Sequence, residues 1–202
     1  MAMSAYRDGL PLHFFWTLSM NRLVQVERAH AFRAMHDRSR VLLLPNAWDA
    51  GSARLLSRRG FAAIATTSGG MAWSLGYADG ECAPLDEVVA AIGRITRVVD
   101  GPVTVDLESG YGPTPEHVAV AVGAVIGAGA VGINLEDGMP GHGPLRRVEE
   151  AAERIRAARE AAGVAGVPIV INARVDNWMQ HDDIDAQARF ADAVVRGKAS
   201  AP

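Results

Sequence analysis

Two acidic pairs in this chain have the residue types and spacing for cation chemistry. Asp106 and Glu108 close the apolar run Pro102-Val103-Thr104-Val105, and Gly110 and Gly112 follow them. Further on, Val131-Gly132-Ile133-Asn134-Leu135 runs into Glu136 and Asp137, then Gly138. Alternate residues of a strand point the same way, so Asp106 and Glu108 are expected on one face. Neighbouring carboxylates repel unless a cation or proton lies between them. An oxygen-only donor set of this kind suits a hard ion, Mg2+ or Mn2+, at the C-terminal ends of strands. Two consecutive strands ending in acids suggest one site fed by several strands.

The elements that must position these acids can be read in order. Val24–Met35 has helical periodicity, with Val26, Ala29 and Phe32 on one side. Val41–Leu44 is four aliphatics in a row, the mark of a buried strand. Asp49 can cap a helix from Ala50 to Arg59, and Gly60 ends it. Ala62–Thr66 is a second strand, Thr67–Gly70 a small-residue turn, and Met71–Pro84 a long loop holding Asp79 and Glu81. A helix over Asp86–Val99 leads to the strand Val103–Asp106. Thr114 caps a helix to Ala128 with Pro115 at its first position. The strand Val131–Leu135, a helix over Arg147–Ala162, the strand Val167–Ala173 and a helix over Ile184–Lys198 complete the chain. Arg174, Asp176 and Asn177 stand at the end of that last strand.

This βαβα alternation with continuously apolar strands predicts an α/β protein with a parallel sheet covered by helices. A doubly wound sheet and a barrel both place their sites at strand C-termini. No G-x-G-x-x-G follows the first strand, which favours the barrel.

Bulk properties exclude several classes. Length predicts one domain. The 20 Lys and Arg residues are scattered and outnumbered by 23 acids, so there is no nucleic-acid footprint. No apolar run reaches the length of a membrane span. Cys82 is the single cysteine, which rules out an intramolecular disulfide and fits a reducing, cytoplasmic setting. Cys82 itself reads as a small buried hydrophobe or an idle thiol. Residues 1–23, including the apolar Leu10–Met20, read as a flexible N-terminal extension, and 24–202 as the domain.

Five segments in order, PNAWDAGSARLL, ATTSGGMAWSLGYADGE, PVTVDLESGYG, AGAVGINLEDG and INARVD, resemble the isocitrate lyase/phosphoenolpyruvate mutase family, phosphonomutases included. The resemblance implies a (β/α)8 TIM barrel of which this chain supplies about five β/α units, usually assembled as homo-oligomers, binding Mg2+ and a small 2-oxo or 2-hydroxy carboxylate. It implies that Ser68, Gly69 and Gly70 hold the substrate carboxylate and enolate oxygen. Asp79, Asp106, Glu108 and Glu136 match the family's metal-site acids, with Asp106 as principal ligand; Glu108 stands where many members have Asp. Arg174 matches an arginine that neutralises substrate charge, as bidentate pairing with a carboxylate allows. Asn46, Trp48 and Tyr111 are further candidates for the pocket wall.

The chemistry is coherent. Retro-aldol cleavage of a C–C bond leaves an enolate, which needs a cation and oriented donors at the developing oxyanion. Two departures stand beside the likeness. The lyases carry K-[KR]-C-G-H in a mobile lid, and here that stretch is GMPGHGPLRR, leaving His142 as the candidate acid. The family would also continue into three more strands after the last helix. The readings left open are a C–C lyase, phosphonomutase-like P–C chemistry, and a protein that binds metal and carboxylate without turnover.

Overall fold

The computed structural model describes the backbone of residues 6–7, 10–37, 39–141, 143–179 and 185–201, with side chains described from residue 22 onward. Two short strands, β1 (Tyr6–Arg7) and β2 (Leu10–Pro11), pair antiparallel. Helix α1 runs Leu12–Met35, so it begins well before the Val24 start that periodicity suggested.

A five-stranded parallel sheet follows: β3 (Asn46–Ala47), β4 (Ile64–Thr66), β5 (Val103–Asp106), β6 (Gly132–Glu136) and β7 (Val170–Arg174). Their spatial order is their sequence order. A doubly wound sheet reverses direction at a switch point; this one never does, so it is the wall of a (β/α)8-type barrel. Register is set by pairs such as Asp106 with Asn134 and Glu136 with Arg174. The second pair sets Glu136 level with Arg174, while Asp106 is level with Asn134 and Asn172, two residues earlier along the sheet.

Helices α2 (Ala50–Arg58), α4 (Leu85–Val98), α5 (Pro115–Gly127), α6 (Val148–Ala165) and α7 (Ala186–Ser200) pack side by side along the sheet. The stripe Val88, Ala91, Ile92 and Ile95 buries one face of α4, and each fully buried isoleucine is worth about 2–3 kcal/mol. Asp49 caps α2 as expected, in a capping box with Ser52. Thr114 stands at the α5 N-cap, but its hydroxyl pairs with His117 Nδ1 at 2.9 Å and makes no cap bond. At the other end of the sheet, α1 seats Phe32 against β6, where any Cβ on Gly132 would stand 2.7 Å from the Phe32 ring. Gln25 donates to the carbonyls of Ile126, in the last turn of α5, and Ala130, just past the helix, at 2.8 and 2.9 Å.

Two expectations are corrected. The run Val41–Leu44 carries no strand ladder, and pairing begins only at Asn46. Val41 and Leu43 are 84% and 68% exposed, so an aliphatic run marked an open edge and not a buried strand. The TSGG segment is no simple turn. It opens α3 (Ser68–Leu75), with Thr67 as N-cap and Gly76 as a left-handed C-cap at φ 90°. The loop after it is accordingly shorter, Gly76–Pro84.

Candidate functional site

The C-terminal ends of β4 to β7 and the loops that follow them enclose a cavity of about 130 Å³. Ser68, Asp79, Glu108, Glu136 and Arg174 line it, joined by Met139, Pro140 and Gly141. Five of the residues singled out from sequence therefore meet in one place. A larger, open groove of about 760 Å³ lies between α5 and α6, walled by Val120, Ala157 and Val164. None of the candidate site residues lines it.

Asp106 and Asp79 flank the first turn of α3. Ser68 N donates to Asp106 Oδ2 at 3.3 Å. A Cβ on Gly69 would stand 3.1 Å from Asp79 Oδ2. On Gly70 it would meet Thr67 Cγ2 at 2.7 Å and Trp48 Cβ at 2.9 Å. The glycines are thus required by the protein's own close packing, and Gly70 faces Thr67 and Trp48 rather than the cavity. Asp79 Oδ1 and Asp106 Oδ1 are buried and have no hydrogen-bond partner among the described residues.

Glu108 does not share a strand face with Asp106. It lies past the end of β5, at φ 50°, in the left-handed region. Both its oxygens are engaged: Glu81 N donates to Oε2 at 2.8 Å and Tyr111 Oη to Oε1 at 3.2 Å. Burial pushes its carboxyl up to about 7, with Asp79 adding to the rise and the Glu81 N–H opposing it. Glu81 and Tyr111 also have positive φ, 63° and 56°. Each such residue costs about 1–2 kcal/mol, so packing must hold this region in place.

Arg174 is already paired. Its Nη1 lies 2.6 Å from Glu136 Oε1, and its Nε and Nη2 bind Asp176 at 2.6 and 3.2 Å. Burial raises the Glu136 carboxyl, with Asp176 and Asp106 adding to the rise and Arg174 opposing it. Asp176 was missed as a site residue, although it stands in the INARVD segment. Its place two residues after Arg174, on the same face of an extended segment, is the local signal for that grip. Asp137 forms a bracket, accepting from Asp176 N at 2.8 Å and Arg196 Nη1 at 3.1 Å. Arg196 also donates to Arg146 O at 2.8 Å, tying α7 to the base of the 138–145 loop.

That loop is a short hairpin closed by Gly138 and Leu145. It meets the Gly76–Pro84 loop where Gly80 lies against Gly141. His142 lies outside the described residues. Cys82 is exposed rather than buried. Trp48 is exposed too and belongs to no core.

No group of three or more His, Cys, Asp or Glu among the described residues is gathered to hold a metal directly. Mg2+ usually takes only one or two carboxylates and keeps several waters. Two buried carboxylate oxygens without partners, beside two further acids, fit that mode and not a closed all-protein shell.

A parallel β/α barrel wall with acids, an arginine and a helix N-terminus at its C-terminal rim defines the class: a TIM-type fold with a charged rim site. Residues 32–201 match the phosphoenolpyruvate phosphomutase family, and the chain belongs to that family. It is 36% identical over 177 residues to the 2-methylisocitrate lyase of Escherichia coli K12, covering 84% of this chain and 59% of that one. A structure of a "putative phosphonomutase" from Burkholderia cenocepacia J2315 superposes with a TM-score of 0.83 at 43% identity, over 87% of this chain and 70% of that chain. The structure of 2,3-dimethylmalate lyase, described as a PEP mutase/isocitrate lyase superfamily member, gives a TM-score of 0.73 at 27% identity, over 86% of this chain and 60% of that one. The chain thus spans about three fifths of the E. coli lyase's length. No helix among the described residues is long and apolar enough to cross a membrane.

Proposed function

We propose that this is a Mg2+-dependent lyase that cleaves a C–C bond of a small 2-hydroxy or 2-oxo carboxylate through an enolate. The observation that carries the reading is the pair of partnerless buried oxygens on Asp79 and Asp106, beside a cavity sized for a few heavy atoms. Asp79 and Asp106 would hold Mg2+ directly, with Glu108 and Glu136 reaching it through its waters. When bound, the ion supplies Lewis-acid stabilisation of the developing enolate oxygen.

The chain's own residues do the rest. Arg174 exchanges part of its pairing with Glu136 and Asp176 for the substrate carboxylate. At the start of α3 the Ser68 hydroxyl and the Gly69 N–H are offered to the oxyanion, the Ser68 N–H being held by Asp106. The loop 138–145 excludes water; as the C–C bond breaks, the carbinol's hydroxyl proton passes to a site carboxylate while its C=O forms, the bond's electrons pass to the carbon that becomes the enolate, and His142 protonates that carbon. Phosphonomutase-like P–C chemistry at the same acids is the second reading, favoured by the 43% identity to the Burkholderia structure. In either case the setting is cytoplasmic and the working form a homo-oligomer.

The test is an assay of 2-oxo acid release from a panel of small 2-hydroxy and 2-oxo acids and from phosphonopyruvate, with and without Mg2+. Mg2+-dependent release from a C–C substrate, lost in His142→Ala, is the expected result. Turnover of phosphonopyruvate alone would move the assignment to P–C chemistry. Mg2+-dependent binding of oxalate with no turnover of any substrate would make it a binding protein.

A further inference from the structure

The segment Ser109–Gly112, just past Glu108, is gripped from two sides. On one side Glu81 Oε1 accepts from Ser109 Oγ at 2.8 Å and from Tyr111 N at 2.9 Å. On the other, Arg154 of α6 donates through Nη2 to the carbonyl of Ser109 and, at 2.9 Å, to that of Gly112. The circuit closes on the site carboxylate, because Glu81 N and Tyr111 Oη both bind Glu108. A turn alone does not need this, since Gly110 N already reaches Leu107 O at 2.9 Å.

Arg154 is out of keeping with its helix. The other buried residues of α6 are Ala151, Ala152, Ile155, Ala158 and Ala162, and Arg154 among them is 1% exposed. Burial lowers its pKa to about 10, which leaves it charged at neutral pH. A buried charge is costly without well-placed hydrogen bonds, and the two carbonyls it finds belong to this segment. The space is full: a Cβ on Gly110 would stand 2.9 Å from Val118 Cγ2 and 3.4 Å from Arg154 Nη2.

We propose that Arg154 is a positioning residue for the carboxylate site, fixing Ser109 and Gly112 from α6 and so, through Glu81 and Tyr111, setting the orientation of Glu108. It touches no reacting group. The inference rests on the reading of Glu108 as a site acid.

Amide hydrogen exchange on the full chain tests it without any ligand. In Arg154→Met, the amides of Glu81, Gly110 and Tyr111 should exchange at least about tenfold faster, while Val105 and Ile133 in the sheet keep their protection. Arg154→Lys, which keeps the charge and one donor direction, should recover part of the loss. Unchanged loop protection in a folded variant, or a loss spread evenly over loop and sheet, would overturn the proposal. If neither variant folds, nitrogen-15 spectra of the wild-type guanidinium groups decide. A slowly exchanging Arg154 Nη–H supports the grip, and free rotation like that of exposed arginines overturns it. A wild-type chain that showed no response to Mg2+ would sink the proposed function, yet leave the exchange result for Arg154 to be read on its own.

Discussion

Ser68 N donates to Asp106 Oδ2 at 3.3 Å, and this bond joins the end of β5 to the first turn of α3. It uses one oxygen of Asp106 and leaves the other, Oδ1, buried and unpartnered. An amide in place of the carboxylate keeps an acceptor for Ser68 but loses the charge. Asp106→Asn should therefore melt within about 1 kcal/mol of the parent without metal, and gain nothing from Mg2+ plus oxalate. A variant that still responds to both additions would remove Asp106 from the metal set.

Arg174 neutralises two acids at once, Glu136 and Asp176. Arg174→Met leaves both carboxylates without their cation. Breaking a buried pair costs about 3–5 kcal/mol, and Arg174 is 34% exposed, so a loss on the order of 2–3 kcal/mol is expected. Arg174→Lys should lose less stability, but should lose oxalate binding nearly as fully because the bidentate fork is gone. Urea unfolding and oxalate titration of the two variants give both numbers. Equal oxalate affinity in Arg174→Lys and the parent would contradict the assigned role.

Gly80 and Gly141 bring two loops over the cavity into contact. A Cβ on Gly80 would stand 2.8 Å from Gly141 Cα, and Gly80 has φ 92°. Gly141, at φ 67°, has open space where its own Cβ would go. Gly80→Ala should destabilise by about 1–3 kcal/mol, while Gly141→Ala pays only the backbone term, about 1 kcal/mol. Only the first should weaken oxalate binding, because only the first pushes the 138–145 loop away. The comparison is read by urea unfolding beside calorimetric titration, and equal effects of the two changes would count against a closing role for the contact.

The α2 cap gives a prediction with a defined pH sign. The backbone and hydroxyl of Ser52 hold the Asp49 carboxyl below its ordinary value. A depressed carboxyl contributes stability that is present above its unfolded pKa and lost as pH falls through the folded one. Asp49→Ala should cost about 1 kcal/mol at neutral pH, and the gap to the parent should shrink as pH falls below the ordinary carboxylate range and the Asp49 carboxyl protonates. Denaturant midpoints at pH 7 and pH 2.5 measure it; a gap that widens in acid would reverse the sign.

Legibility in the sequence followed the locality of the cause. β5 lies at Val103–Asp106 as its aliphatic run indicated, and Pro115 opens α5, because such signals are written within a few residues. The start of α3 was hidden by Gly69 and Gly70, which read as a turn from intrinsic propensity. Their helical state is imposed by Thr67, Trp48 and Asp79. Val41–Leu44 misled for the opposite reason, since a continuous aliphatic run states hydrophobicity and not which face is covered. The acids of the site were visible by type and spacing. Their more distant partners were not: Glu81 on Ser109 and Tyr111, and Arg154 on Gly112, are contacts that only the packed loops and helices create.

The central claim is that the rim of this barrel binds Mg2+ and a small enolate-like carboxylate together. The direct measurement is a thermal melt of the wild-type chain by circular dichroism, alone, with Mg2+, with oxalate, and with both. A ligand at a hundredfold excess over its Kd adds about 2.7 kcal/mol to the folded state, which for a chain of this size is a rise of roughly 5–10 °C. The account predicts a cooperative melt that rises by that amount only when Mg2+ and oxalate are present together. A cooperative melt that stays put under all four conditions would contradict it.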